Sequence, residues 1–466
     1  MKKVNYFSRL IAGALTLSAI STSCFSQWSN QVSGFSTPGY GIFSMSVVDA
    51  NTIWGSVFDS ARFITAQENG YFARYKNLFT RTTNAGATWI PGRINVSNPD
   101  SLIIDFVDAI NKDTAWVTML DTVAYGGSIY KTTNGGASWV LQNNAALPMF
   151  AAPWGYPDYV HFFNDSVGVC IGDSNGTGLN NTQPGYWEIY TTTNGGALWT
   201  RVGGDSIPAN SVNEYAIDNS FAAYGNSVWF GTSYGNIYRS TNSGAGWSYA
   251  PSNLPFMYVQ TLAMDSMTGL ASDGLNLVTT ANGGGTWNSS ASYDTTYISW
   301  MCYVPESKGN SYFTTSYGYP GFSGTSESTD GGNTWAVIDT LQHGAVAFFN
   351  ASSGWSGGFD SSMTRDGMFS WGGTTGIAML TLPGSRTLVY PNPMTDKAII
   401  QVQDGGLVLN NASLLITNEL GSVVYSQVRI NGNQLEIQKG SLAQGIYFYR
   451  LTTENAVIGA GKIIIQ

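Results

Sequence analysis

Residues 132–139 read Thr-Thr-Asn-Gly-Gly-Ala-Ser-Trp, which places Thr132, Asn134, Gly136 and Trp139 in a fixed order. That order is a small hydroxyl residue, one position, Asn or Asp, one position, Gly, two positions, Trp. It returns at Thr82-Asn84-Gly86-Trp89, Thr192-Asn194-Gly196-Trp199, Ser240-Asn242-Gly244-Trp247, Thr280-Asn282-Gly284-Trp287 and Ser328-Asp330-Gly332-Trp335. A degenerate copy, Thr364-Asp366-Met368-Trp371, lacks its second glycine. Each residue type suits a tight hairpin: Asn or Asp can accept from backbone amides two residues on, Gly accepts a positive φ, and Trp supplies a large ring to pack under the next structural unit. The box reads as architecture before chemistry.

Spacings from Trp to Trp run from 36 to 60 residues, bracketing the roughly 40–50 residues of a four-stranded propeller blade. A second repeat lies upstream of most boxes: residues 44–55, 105–117, 160–172, 262–272 and 345–357 each read as strand, polar turn, strand. Apolar alternation around an Asp/Asn/Ser/Gly cluster is the pattern of the two inner strands of a blade. Segments such as Ser128-Ile129-Tyr130-Lys131 and Asn236-Ile237-Tyr238-Arg239 supply a third strand before the box, and residues after the Trp a fourth. Residues 27–32 (Gln-Trp-Ser-Asn-Gln-Val) read as a fourth strand with no blade before it, available to complete the seventh blade and close the ring. The expected fold is all-β: a seven-bladed β-propeller over 27–378, a linker at 379–387 and a small C-terminal β-sandwich over 388–466.

The boxes resemble the Asp-box, or BNR, repeats of sialidase-like propellers. The blade pattern is similar to that of photosystem II assembly factors, sortilin-type receptors and xyloglucan-hydrolysing glycosidases. The likeness covers roughly residues 28–378 and implies a fold; function has to be argued from a site. Sialidase activity would require converging arginines, and here Arg81, Arg239, Arg365 and Arg201 sit at boxes, while the Arg-Ile-Pro signature is absent.

The tail reads as short strands with hairpin punctuation. Tyr390-Pro391-Asn392-Pro393, Asn418-Glu419-Leu420-Gly421, Leu442-Ala443-Gln444-Gly445-Ile446-Tyr447 and Gly461-Lys462-Ile463-Ile464-Ile465 resemble the motifs of the type A C-terminal sorting domain of the Bacteroidota type IX secretion system. That resemblance implies the type IX machinery as a partner, and release or attachment to outer-membrane lipopolysaccharide as the outcome. At the other end, Lys2, Lys3 and Arg9 precede an apolar run from Leu10 to Ile20, too short for a bilayer and right for a signal peptide over 1–26. A lipoprotein box at Ser21-Thr22-Ser23-Cys24 is the rival reading, with Ser where a bulky aliphatic residue is usual. The expected location is secreted or outer cell surface, reached through the periplasm.

Composition agrees, with 11% charged residues, 14% aromatics and 55 glycines favouring turns and strands over helices. Loss of Lys2, Lys3 and Arg9 takes the formal net charge from −9 to about −12, which argues against a phosphate-binding basic surface and hence against nucleic acid. Cys170 and Cys302 fall on inner strands of separate blades and are expected as buried free thiols. His161 and His343 are the only histidines, each in an expected strand core without nearby Cys or His, so no transition-metal site is expected. The expected cofactor is none. Calcium is the alternative at Asp173-x-Asn175 with Asn180-Asn181, whose spacing departs from the established loop.

If the boxes join third to fourth strands, the opposite face is built from the loops joining strands two to three and blade to blade. Long insertions fall there, with Trp154, Tyr156, Tyr159, Tyr186, Trp187, Tyr317 and Tyr319 as candidate ligand-stacking rings. Carboxylates at the ends of second strands, Asp59, Asp173, Asp273 and Asp360, are the candidate acids and bases for glycoside hydrolysis, although several stand in turn sequences. Asp-Ser/Thr-apolar triplets at Asp113, Asp165 and Asp265 resemble O-glycosylation acceptors and also read as hairpin turns. The expected function is non-catalytic binding of a glycan or protein; a glycoside hydrolase and a scaffold or assembly factor are the alternatives.

Overall fold

The computed structural model describes residues 28–35, 40–59, 75–96, 101–142, 149–151, 155–174, 185–203, 207–211, 213–290, 298–317, 323–358, 367–372, 387–402, 409–418, 423–453 and 457–466, with only the backbone of Tyr75, Tyr317, Val457 and Ala460. The expected signal peptide and all of the expected linker except Thr387 lie outside them. The chain divides into two compact units, 1–373 and 374–466. Among the described residues no helix is long and apolar enough to cross a membrane.

Among the described residues, unit 1 contains seven four-stranded antiparallel sheets. Blade 1 is typical: Tyr40–Val47, Ile53–Asp59, Tyr75–Thr82 and Ile90–Arg93 pair in chain order. The innermost strands are Tyr40–Val47, Leu102–Ala109, Pro157–Phe162, Ala216–Tyr224, Thr261–Met264, Trp300–Tyr303 and Val346–Asn350. Each contacts the next, and the seventh contacts the first, so the ring closes. Second strands such as Ile53–Asp59 and Gly168–Ser174 are buried at every position, since neighbouring blades cover both faces. Outer strands such as Val140–Leu141 and Asn288–Ser289 are short and exposed, which blunts the sheet edge.

Blade 7 takes its outer strand from the other end of the chain: Trp28–Gln31 pairs antiparallel with Met368–Gly372, Trp28 opposite Trp371. This is the closure the N-terminal pattern suggests. It also corrects the degenerate seventh box. Trp371 lies within the third strand, between Ser353–Gly357 and Trp28–Gln31, rather than after a turn from third to fourth strand; no such turn is needed when the fourth strand arrives from the N-terminus. Asp366 lies outside the described residues.

The other six boxes share one geometry. In the first, the buried Thr82 hydroxyl donates to Asn84 Oδ1 and accepts from the Gly86 amide, while Asn84 Oδ1 accepts from the Thr88 amide. In the second, the Thr132 hydroxyl donates to Asn134 Oδ1 and accepts from the Gly136 amide, and Asn134 Oδ1 accepts from the Ser138 amide. Asn194, Asn242, Asn282 and Asp330 repeat these bonds. This corrects the expected reach of the box Asn or Asp. From Asn84 and Asn134 onward, the side-chain oxygen braces the amide four residues on, not two, because the hydroxyl before it occupies the nearer position. Each box also reaches the hairpin between the first two strands of its own blade, as in Ala85 N to Asn51 O and Gly135 N to Asp113 O. Box tryptophans pack toward the preceding blade, not the next: Trp139 lies edge-on to Trp54 and Phe79 of blade 1. Trp199 belongs to one buried cluster with Trp116 of blade 2, and Trp287 to another with Trp229 of blade 4. Cations lock neighbouring boxes: Arg81 Nε donates to Gly135 O, Lys131 Nζ to Gly195 O, and Arg239 to Gly283 O. Arg81 and Lys131 lie over the faces of Trp54 and Trp116.

Unit 2 packs a three-stranded sheet (Thr387–Tyr390, Lys397–Val402, Gln434–Gln438) with a four-stranded one (Val423–Gly432, Leu409–Thr417, Gly445–Thr452, Val457–Ile465). Ile400, Leu414, Ile416, Leu451 and Ile463 form its core.

Candidate functional site

Of the four carboxylates expected to do chemistry, Asp360 lies outside the described residues. Asp59 is buried and pairs with Lys76 at 3.3 Å. Asp273 is a turn brace: Oδ1 accepts from the amides of Leu275 and Asn276, and Oδ2 from that of Phe256. Asp173 is different. Its Oδ1 accepts from the Ala216 amide of blade 4, and its carboxyl is pushed up to about 8, mainly by burial, with the Ala216 bond opposing and Asp218 adding repulsion.

Asp173 thereby belongs to a group that sequence reasoning misses. Asp105, Asp158 and Asp218 each offer a carboxylate oxygen, all within 4.8 Å of one another. They stand on the first strands of blades 2, 3 and 4, and each marks an irregularity in strand register: Asp105 between Ile104 and Phe106, Asp158 between Pro157 and Tyr159, Asp218 between Ala216 and Phe221. Asp173 falls at another, between Gly172 and Ser174. A bulge breaks the alternation of side chains and re-aims one of them, so carboxylates from three blades converge. Burial first and mutual repulsion second push Asp105 and Asp158 well above the usual carboxylate range. The signal in the sequence is a carboxylate interrupting an apolar first strand in three successive blades, as in Leu102-Ile103-Ile104-Asp105.

The candidate rings separate as well. Tyr159 and Trp187 are core residues, each 1% exposed, which corrects their assignment to a ligand platform. Tyr159 stacks on Phe221 and donates to Ile217 O, and Trp187 packs edge-on against Phe230 and Tyr238. Their inward side of a buried strand leaves them no solvent. Tyr156 and Tyr186 are half-buried. Trp154 and Tyr319 lie outside the described residues, as does the side chain of Tyr317, whose backbone pairs with Ser323.

The exposed rings come instead from short connections. Tyr215 precedes the first strand of blade 4, Tyr234 is in the turn between its second and third strands, Phe256, Met257 and Tyr258 join blade 4 to blade 5, and Leu275 is in the corresponding turn of blade 5. All are between 37% and 66% exposed. They are contiguous: Ser233 N donates to Tyr215 O, the space beside Gly235 is bounded by Met257, and Phe256 N donates to Asp273. Toward blade 2 the strip continues through Tyr156, whose hydroxyl is pushed up to about 12 by burial, then by Asp173, Tyr125 and Asp121. Tyr125 is itself exposed. Chain direction puts these connections on the face opposite the boxes. The topological rule that points to the long insertions applies equally to these short loops.

Along the ring axis a cavity of about 300 Å³ is lined by residues of all seven innermost strands, among them Phe43, Asp108, His161, Tyr224, Tyr303 and Phe348. His161 Nδ1 lies 3.4 Å from Asp108 Oδ1. His343 is not in a strand; it is buried before the first strand of blade 7, against Ser356 and Asp339. Cys170 and Cys302 are free, as expected; Cys170 is buried, whereas Cys302 is half-buried at the axial cavity rather than buried.

In unit 2 the tail motifs close on one another. Asn392 donates through Nδ2 to Lys462 O and accepts from the Ile464 amide, which ties Pro391-Asn392-Pro393 to the final strand. Tyr447, two residues after Gly445, is buried and donates to Ala443 O. Gly421 lies outside the described residues.

Fold and tail together define an exported seven-bladed propeller protein. Residues 388–466 match the secretion system C-terminal sorting domain, so the chain carries a type IX sorting tail and is directed to the cell surface or the medium. Among solved structures the chain is similar to YCF48 from Cyanidioschyzon merolae, at 16% identity and TM-score 0.52, over 74% of this chain and 98% of that one. A xyloglucanase from a Paenibacillus species is 28% identical over 165 residues, 31% of this chain and 15% of that protein. The present chain therefore spans a small part of that relative.

Proposed function

We propose that this exported propeller binds an extracellular polysaccharide without cleaving it, along the strip of Tyr125, Tyr156, Tyr215, Tyr234, Phe256 and Tyr258. One observation supports the reading above others: the exposed rings of Tyr125, Tyr215, Tyr234, Phe256 and Tyr258, with the half-buried Tyr156, stand on the face opposite the boxes, while the carboxylates beneath them are buried or committed to backbone bonds. Tyrosine offers an apolar face for a sugar ring and a hydroxyl for its edges. The partial likeness to a xyloglucanase is consistent with a glycan ligand. The sorting tail delivers the propeller to the surface, with release or lipopolysaccharide attachment as the final step.

A hydrolase is the second reading, favoured by the Asp173 carboxyl, which at about 8 keeps its proton at neutral pH as a general acid must. The decisive assay incubates the full chain with insoluble polysaccharides and measures retained protein and released sugar together. Retention without product supports binding; product that disappears in Asp173→Asn establishes the hydrolase. No retention on any glycan overturns the proposal in favour of a protein partner.

A further inference from the structure

We infer that Asp105, Asp158 and Asp218 form a binding site for a hard divalent cation of calcium's size, which ties together the innermost strands of blades 2, 3 and 4. The proposal is independent of the polysaccharide reading, and it differs from the Asp173–Asn181 stretch, since Asp173 Oδ1 is already engaged by Ala216.

Three observations lead there. The first is separation. Oxygens bound to one ion at about 2.4 Å can be at most about 4.8 Å apart. The three oxygens fall within 4.8 Å of one another, close enough for one ion of calcium's size to bridge them. The second is Asp158, 5% exposed, whose Oδ2 is buried without a hydrogen-bond partner. Elsewhere the fold satisfies a buried carboxylate fully: Glu214, 0% exposed, accepts from Thr232, Asn236 and the amides of Asn210 and Ser211. Leaving Asp158 without such donors costs a desolvation penalty that a cation would offset. The third is backbone. Each of the three carboxylates sits at an irregularity of strand register, so three strands depart from regular pairing at the place where their anions meet.

The donor set is oxygen only, with no imidazole or thiolate in the group, which selects a hard ion over zinc or copper. Asp218 is half-buried and precedes Asn219, a residue lining the axial cavity. Repulsion among the carboxylates, which helps push Asp105 and Asp158 upward, is relieved by the same ion.

The test uses the full chain stripped with a chelator. Terbium, a luminescent calcium substitute, should become sensitised by the neighbouring Tyr159, and calcium should displace it at concentrations where magnesium does not. Calcium at about 5 mM should raise Tm by about 3 °C or more. Asp158→Asn should abolish both responses yet leave the chelated protein at least as stable as the parent, because one repelling charge is gone; Asp218→Asn serves if that variant fails to fold. Asp49→Asn, a change in an exposed hairpin, should leave both responses intact. Absence of both responses in the parent, equal action of magnesium, or undiminished responses in the Asp158 and Asp218 variants would overturn the site.

Discussion

On the box face, Thr82, Thr132, Thr192, Ser240, Thr280 and Ser328 build one turn six times, with the same donors and acceptors. On the opposite face, turns at equivalent places differ. Asp121 braces the amides of Val123 and Ala124, the Thr232 hydroxyl accepts from Tyr234 and Asn236, and Asp273 holds Leu275 and Asn276. The contrast marks where the demands of the ring end. Every box must fit its own hairpin and the preceding blade, so its residues are constrained on two sides. A turn on the other face has no box to fit, so its residues can differ from blade to blade and its outward side chains can serve a ligand.

Substitutions can break that division in order of effect. Trp116→Ala should be the most damaging, lowering stability by about 3–5 kcal/mol in urea unfolding. It removes a buried ring that stacks on Phe162 at 3.5 Å and lies under Lys131. Thr280→Val should cost about 1–3 kcal/mol, since it strips the Gly284 amide and Asn282 Oδ1 of their shared partner; a loss far smaller than this would deny the boxes their structural weight. Tyr215→Ala combined with Tyr234→Ala should weaken polysaccharide retention at least about tenfold, equivalent to about 1.4 kcal/mol. The same double variant should shift unfolding by only about 1 kcal/mol or less. Unfolding without selective loss of retention would make the strip architecture rather than a binding face. Arg239→Ala should have the smallest effect, about 0.5–1 kcal/mol in stability with retention unchanged, because its bonds to Asn282 O and Gly283 O are partly exposed.

Legibility follows the same division. The boxes, the strand order within blades and the N-terminal strand that completes blade 7 are all written in local patterns, and the closed ring of seven sheets agrees with them. Even there the detail of the bracing escapes: Asn134 is readable as a turn residue, but its partner, the Ser138 amide, follows from how the Thr132 hydroxyl fills the nearer position. Trp371 misled because a chance Thr-x-Asp-x-Met spacing imitates a box where the chain has no outer hairpin to make. Tyr159 and Trp187 misled for another reason: an aromatic residue near a long insertion has the same letter whether its ring faces a neighbouring blade or water, and the phase of the strand decides.

Local sequence is enough to specify the kind of molecule: repeated turn chemistry for a propeller, and closing motifs for a sorting tail. These depend on residues near one another in the chain, whose hydrogen bonds and packing recur with each repeat. Which side chains meet across blades is settled by the folded ring alone. Asp105, Asp158 and Asp218 are separated by 53 and 60 residues and converge because three strands lose register at the same depth. Tyr215, Tyr234 and Phe256 form a row because their short connections lie side by side at the ring's edge. Such proximity arises from ring closure, which brings distant segments together: the local sequence can mark an interrupted strand but not the residues it will meet.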